Sequence, residues 1–147
     1  MGWVYLTLEQ AVAIHEVTVE KSGGGSLGQL DVGKLESVLQ HIQNDSYYPT
    51  FEAKLTHLFF SACKFHSFVD GNKRIAISLC VDMLNKNGYL RSLLGFIREA
   101  ENISYHVAAG NIPKELLGRW MTAILSGEED DESLKLDIYH AISNGTP

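Results

Sequence analysis

One run of nine residues near the middle of the chain carries side chains suited to phosphate chemistry. Residues 66–74 read His-Ser-Phe-Val-Asp-Gly-Asn-Lys-Arg. His66 has an imidazole whose ordinary pKa of about 6.5 suits proton removal near neutral pH. Asp70 offers a hard carboxylate oxygen, the kind of ligand that Mg²⁺ prefers beside phosphate oxygens. The run therefore predicts transfer of a phosphate-containing group from a nucleotide to a hydroxyl, with His66 as general base and Asp70 as metal ligand.

The remaining residues of the run suit anion binding. Gly71 permits a tight turn and a close approach of its amide to an oxygen. Asn72 is expected to steady this turn or donate to a phosphate. Lys73 supplies a point charge, and Arg74 supplies a fork of donors that matches two phosphate oxygens. Phe68 is expected to point inward and anchor the loop.

The position of the run between two predicted helices matters as much as its composition. Thr50 is expected to cap a helix over residues 51–63, which has apolar residues at helical spacing. A second helix is expected to begin near Lys73 or Arg74 and to end at Asn87, with Gly88 as its left-handed cap. The loop would then enter a helix N-terminus, where free backbone N–H groups and the helix dipole favour anions.

The rest of the chain also predicts helices. A capping box at Thr7 and Gln10 begins the first of them. The predicted segments are 8–21, 31–41, 94–109 closed by Gly110, 113–125 and a terminal amphipathic stretch 134–142. We see no alternating strand pattern, so the fold class predicted is all-α.

Length and charge bound the class of protein. The 147 residues fit one domain, 1–147, with a core at about 5–125, an acidic linker at 126–133 and a C-terminal helix at 134–143. The net charge is −6, and the run 128–132 holds five negative charges. The body is thus nearly neutral, and direct nucleic-acid binding is not expected. The run is interpreted as a solvated linker, the alternative being a docking surface for a basic partner segment.

Other features predict a cytoplasmic protein without a membrane segment. No apolar run approaches the length of about 18 residues that a spanning helix needs, and the start of the chain lacks signal-peptide features. Cys63 and Cys80 are interpreted as reduced core thiols. Trp3 and Trp120 are interpreted as core or boundary residues. The histidines outside the run have no partner at a recognisable spacing and are interpreted as structural or exposed: His15, His41, His57, His106 and His140.

On these residues the sequence resembles the Fic/Doc (Fido) family, whose pattern is HxFx(D/E)GN(G/K)R in a loop between two helices of an all-α core. The resemblance covers about 5–125 and implies a Fic/Doc-type helical bundle with the active loop between two central helices. Three features are similar to the death-on-curing (Doc) branch: residues 28–39, the lysine at Lys73, and the sequence Asn-Gly-Tyr at 87–89.

The resemblance implies a function and its residues. His66 would deprotonate a hydroxyl of a target protein, and Asp70 would hold Mg²⁺. Gly71 and Asn72 would form the anion-binding turn, with Lys73 and Arg74 on the phosphates of ATP. The Doc branch transfers the terminal phosphate of ATP to a threonine of elongation factor Tu, a translation factor, whereas Fic proteins attach AMP.

Two further observations bear on which branch is matched. AMP-transferring members carry a second arginine where this chain has Ile77, which favours γ-phosphate transfer. Many Fic proteins carry an inhibitory helix with the pattern (S/T)xxxE(G/N). The one Glu followed by Gly or Asn in this sequence is Glu101, and the residue four positions before it is Ile97 rather than Ser or Thr, so the pattern is absent. Inhibition of the active site is therefore expected to come from a separate protein, an antitoxin. Ser67 stands where the family often has proline, so a non-catalytic binding protein of the same fold remains an alternative. An AMP transferase with the same loop is the other alternative.

Overall fold

The computed structural model describes residues 2–21, 32–64 and 69–145, and their side chains except those of 19–21 and 69–73. The described part of the chain comprises seven helices and no strand. They are α1 (Leu8–Lys21), α2 (Val32–His41), α3 (Phe51–Cys63), α4 (Val69–Lys86), α5 (Leu90–Ala108), α6 (Lys114–Ser126) and α7 (Glu132–Ser143). The predicted all-α class is confirmed.

Helices α3 and α4 form the centre of the bundle. Helix α4 packs against α1, α3 and α5, and α3 also packs against α2, α5 and α6. Helix α7 packs on α6. The run predicted to carry the chemistry thus joins the two central helices, as expected. Among the described residues, no helix combines the length and the apolar character that crossing a bilayer requires.

Aromatic side chains from three helices fill the core beside α3. Phe59 of α3 meets Phe96 of α5 edge-on, with ring centroids 5.8 Å apart, and Trp120 of α6 lies 5.5 Å from Phe96. All three are buried. The Trp120 indole N–H donates to Glu99 Oε1 at 2.8 Å, so its one polar atom is satisfied. The prediction of Trp120 as a core residue is confirmed.

The predicted helix starts at Thr7 and Thr50 are confirmed in atomic detail. The Thr7 backbone N–H donates to Gln10 Oε1, and the Gln10 N–H donates to Thr7 Oγ1, both at 3.1 Å. This reciprocal pair is a capping box. Thr50 Oγ1 accepts from the Ala53 N–H at 3.1 Å and satisfies one free donor at the start of α3.

The predicted left-handed glycines after α4 and α5 are also confirmed. Gly88 has φ of 81° and Gly110 has φ of 84°. Glycine adopts this region without the steric cost that a Cβ would impose. A third such residue, Gly127 with φ of 76°, ends α6.

Two predicted helix starts were wrong by about four residues, and α7 begins at Glu132 rather than at the predicted residue 134, so the end of the acidic run lies within the helix. Helix α4 begins at Val69, before the expected Lys73 or Arg74. Low-propensity residues cost little in a first turn, where the N–H groups need no intrahelical partner, and an acidic residue there is favourable. Helix α5 begins at Leu90 rather than residue 94. Its N-cap, Tyr89, makes no side-chain capping hydrogen bond, so the sequence gives no start signal.

Candidate active site

The predicted site residues fall at the junction of α3 and α4. His66 and Phe68 lie outside the described residues, so their predicted roles stay predictions. Residues 70–73 lie in the first turn of α4, and their backbone alone is described. Arg74 follows them on the same helix and is exposed. The chain therefore brings four of the predicted phosphate-binding and metal-binding positions together at one helix end.

The start of α4 at Val69 sharpens the predicted anion site. The first four N–H groups of an α-helix have no partner within the helix, and the helix dipole places partial positive charge there. Asp70, Gly71 and Asn72 contribute to this first turn. The anion-binding turn predicted as a loop therefore coincides with the opening turn of the helix itself.

A groove runs from Arg74 along the joint between α1, α4 and α5. Its volume is about 1020 Å³, and its lining combines apolar side chains with a few polar ones. At its wall Thr18 Oγ1 of α1 donates to Ser78 Oγ of α4 at 3.1 Å. Val4 is held at the other end of α4 by Asn87, so α1 and α4 are antiparallel. Thr18, near the C-terminal end of α1, thus lines the same groove as Arg74 of α4.

Ile77 lines the same groove and is partly buried. It stands one turn after Arg74, at the position where AMP-transferring members would carry their second arginine. An aliphatic side chain there cannot bind phosphate. Among the described residues that line the groove, Arg74 is therefore the one with a cationic side chain.

The two cysteines lie on the central helices, Cys63 on α3 and Cys80 on α4. Cys63 and Cys80 are buried thiols outside any disulfide, which confirms the predicted core thiols. The Cys80 thiol faces the Leu55 carbonyl oxygen at 3.9 Å. Burial, with a smaller effect of Cys63, raises the pKa of Cys80 well above its ordinary value, so it is not a nucleophile near neutral pH.

The structure also contains a polar cluster that the sequence did not predict. His57 of α3, expected to lack a partner, has one: its Nδ1 lies 2.8 Å from Nζ of Lys114 on α6. The His57 ring stacks on Tyr48 at 4.6 Å between centroids. Burial, then the charges of Lys114 and His41, lower the pKa of His57 to about 4. The pairing was not predictable, because 57 positions separate the partners and no local pattern links them.

The other histidines fit their predicted structural or exposed roles where the structure describes them. His15 is buried, and His106 Nδ1 lies 3.0 Å from the Asn111 amide nitrogen. His41 and His140 are exposed. No group of three or more His, Cys, Asp or Glu within the described ranges could hold a metal ion.

Comparisons with known proteins agree with this architecture. The model of the Fic/DOC family matches residues 5–84, which span α1 to most of α4. The protein named protein kinase doc, from Escherichia phage P1, is 30% identical over 88 residues, covering 57% of this chain and 68% of that protein. Comparison with solved structures gives no significant match. The chain belongs to the Fic/DOC family.

Proposed function

We propose that this protein is a Doc-like toxin that transfers the γ-phosphate of ATP to a hydroxyl of a target protein. The observation that carries the proposal is the placement of the run 66–74 at the entry to α4, in a chain of the Fic/DOC family. The relative named protein kinase doc supports phosphate transfer in particular.

In the proposed reaction His66 takes the proton of the target hydroxyl as its oxygen attacks the γ-phosphorus. A new O–P bond forms, the bridging P–O bond to the β-phosphate breaks, and ADP leaves. Backbone N–H groups of the first turn of α4 and the charges of Lys73 and Arg74 stabilise the negative charge on the transferring group. General-base catalysis of this kind contributes about 10²–10⁴-fold to a rate.

Asp70 is the residue that would hold Mg²⁺. A single carboxylate suits this ion when nucleotide phosphates complete its coordination, and the described residues offer no cluster that could hold a metal by protein ligands alone. Bound there, Mg²⁺ would neutralise phosphate charge and orient the nucleotide.

Ile77 supports γ-phosphate transfer over AMP transfer. The AMP-transferring members clamp the triphosphate with a second arginine at this position, whereas Ile77 is partly buried among apolar side chains. Those members also carry glycine at the motif position of Lys73. We therefore propose that the nucleotide binds in the opposite orientation to the one it has in AMP-transferring members. Its γ-phosphate would then lie near His66.

We also propose that the site is restrained in trans by an antitoxin in the cytoplasm. The sequence contains no match to the family's inhibitory pattern (S/T)xxxE(G/N). The groove between α1, α4 and α5 ends at Arg74 and exposes apolar side chains on its rim, including Val17 and Ile97, each about half exposed. A disordered antitoxin segment that folds into a helix on binding would fit this groove and cover Arg74.

Parallel assays with α- and γ-labelled ATP test the proposed chemistry. Elongation factor Tu, the target implied by the resemblance, is incubated with the protein, Mg²⁺ and each label. We expect label on the factor from γ-labelled ATP alone. Label from α-labelled ATP would instead identify an AMP transferase. If neither label transferred and calorimetry found no Mg²⁺-dependent ATP binding, the protein would be a non-catalytic binding protein.

The role of His66 has its own test. The variant His66→Ala should transfer the γ-label about 10²–10⁴-fold more slowly than the wild type. Tyr139→Ala is a suitable control, because Tyr139 is 65% exposed on α7 and its loss should leave the rate unchanged. Equal rates for His66→Ala and wild type would exclude His66 as the base.

A further inference from the structure

Lys114 has an environment unlike that of the other lysines in the described part of the chain. Its ammonium group contacts Nδ1 of His57 at 2.8 Å and lies 5.7 Å from the ring centre of Tyr48 and 5.8 Å from that of Phe60. No carboxylate forms an ion pair with it among the described residues, whereas Lys86 pairs with Asp82 and Lys135 pairs with Asp130.

Partial burial disfavours the charged form of the Lys114 amine. Two aromatic faces replace part of the water around the ammonium group, and the cation–π attraction only partly offsets this loss. Burial lowers the pKa of Lys114 from 10.5. By contrast, the hydrogen bond and charge of Asp130 raise the pKa of Lys135. At a given pH, a larger fraction of Lys114 is therefore the neutral, nucleophilic amine.

The amine is also accessible and has a proton acceptor in place. Lys114 is exposed at the first residue of α6 and borders a groove of about 630 Å³ between α3 and α6. The hydrogen bond from its ammonium group to Nδ1 requires a neutral His57, and the pKa of about 4 keeps the ring neutral at physiological pH. Since part of that lowering comes from the Lys114 charge, His57 becomes more basic once the charge is gone.

We propose that Lys114 is an acylation site of this protein, modified by small activated acyl donors of the acyl phosphate class. The neutral Nζ attacks the acyl carbonyl carbon, an N–C bond forms, the C–O bond to phosphate breaks, and inorganic phosphate leaves. His57 Nδ1 receives the proton that Nζ loses. The acylated side chain carries no charge, so the cation–π contacts with Tyr48 and Phe60 are lost.

The test measures the rate of acylation at each lysine of the intact protein. The full chain is incubated with acetyl phosphate at pH 7.5, and acetylation is followed by peptide mass spectrometry. We expect Lys114 to react several-fold faster than Lys135, because the pKa of Lys114 is lowered and that of Lys135 is raised, so that a larger fraction of Lys114 is the free amine. The rate at Lys114 should also rise towards its plateau at a lower pH than the rate at Lys135. Equal rates and equal pH profiles at the two lysines would overturn the proposal.

The variant His57→Gln tests the proton acceptor separately. Glutamine can still accept a hydrogen bond from the ammonium group but cannot take its proton. Acetylation of Lys114 should slow several-fold in this variant, while that of Lys135 stays unchanged. A rate at Lys114 equal to the wild-type rate, in a variant whose circular dichroism is native, would exclude His57 from the reaction. The acetylation assay contains neither ATP nor a target protein, so its outcome is independent of the proposed phosphate transfer.

Discussion

Lys54 is a fully buried lysine that joins three parts of the chain. Its Nζ donates to the Ile42 carbonyl oxygen and to Asp45 Oδ1, both at 2.7 Å, and it lies 5.6 Å from the ring centre of Tyr5. Burial alone would lower the pKa of Lys54, but the contacts with Asp45 and Tyr5 outweigh it, so the net shift is upward. The lysine therefore stays charged and ties α3 to the α2–α3 connection and the N-terminal segment.

Lys54→Met should lower the free energy of unfolding by about 1–3 kcal/mol. The buried Ile42 carbonyl would lose its donor, while Asp45, whose side chain is 81% exposed, would return to water without penalty. Urea titration followed by circular dichroism measures the change. Lys64→Met is the matched control, because Lys64 is exposed and its ammonium group lies 5.2 Å from the centre of the Phe60 ring, so its loss should cost less than about 0.5 kcal/mol. Equal losses in the two variants would contradict the role given to Lys54.

His57 should make the stability depend on pH. Its pKa is about 4 in the folded protein and 6.5 ordinarily, owing to burial, then to Lys114 and His41. At a pH between about 4 and 6.5, His57 is protonated in the unfolded chain but not in the folded protein. Stability should therefore fall as the pH drops from about 6.5 to about 4. With allowance for solvent contact of the ring, we expect a loss of about 1–2 kcal/mol.

Urea midpoints at pH 7.5, 6 and 5 test this dependence. The carboxylates of the chain also contribute to acid sensitivity, so the informative quantity is the difference between wild type and His57→Gln. The variant should lose less stability over this range than the wild type. Parallel curves for both proteins would show that His57 does not titrate differently in the two states.

At the scale of single helices, the sequence predicted ends better than starts. Gly88 and Gly110 were predictable because a left-handed residue after an apolar helix strongly favours glycine. Thr7 and Thr50 were predictable because their hydroxyls cap helices locally. The start of α5 was not, since Tyr89 provides no capping side chain and Leu90 is 62% exposed. It depends on tertiary packing, which no local pattern records.

Two glycines, one inside a helix and one in the left-handed conformation after a helix, provide a matched test of how glycine affects helix stability. Gly118 lies inside α6, and a Cβ there would meet Thr56 Cγ2 at 3.8 Å, an ordinary contact. Gly118→Ala should therefore stabilise the protein by about 0.5–1 kcal/mol through helix propensity. Gly110 has φ of 84°, so Gly110→Ala should destabilise it by about 1–2 kcal/mol. Thermal melts of both variants measure the two shifts, and shifts of the same sign would refute the assignment.

At the scale of the whole molecule, fold and site were predictable to different degrees. The all-α bundle followed from helical spacing and from one motif between two helices. The roles of His66 and Asp70 remain predictions, and α4 begins at Val69 rather than at the predicted Lys73 or Arg74, so residues 69–74 of the motif lie within the helix. The pairing of His57 with Lys114 was not predictable, because it arises only when α3 and α6 pack together.

The same packing predicts which helices the fold can lose. Family similarity covers residues 5–84, yet α5 and α6 are needed because Phe96 and Trp120 cover Phe59 in the core. Helix α7 contributes less: Leu134 is its buried residue, Ile138 and Ala141 are partly buried against the core, and Arg119 of α6 meets Asp137 in a partly exposed ion pair at 2.6 Å. Burial of one leucine is worth about 1.5–3 kcal/mol, and an exposed ion pair about 0–1 kcal/mol.

A chain truncated after Gly127 should therefore stay folded and lose about 2–4 kcal/mol, a part of the 5–15 kcal/mol typical of a domain. A chain truncated after Ile112, which also lacks α6 and Trp120, should not fold, because the core around Phe59 would be open to water. Circular dichroism and urea titration of the two truncated chains and the full chain distinguish these outcomes. If the chain ending at Gly127 were unfolded, α7 would be part of the core structure, and its stabilising contacts would extend beyond Leu134 and Asp137. If it is folded and still transfers the γ-label at the full rate, the acidic run and α7 are separate from the phosphate chemistry at the start of α4.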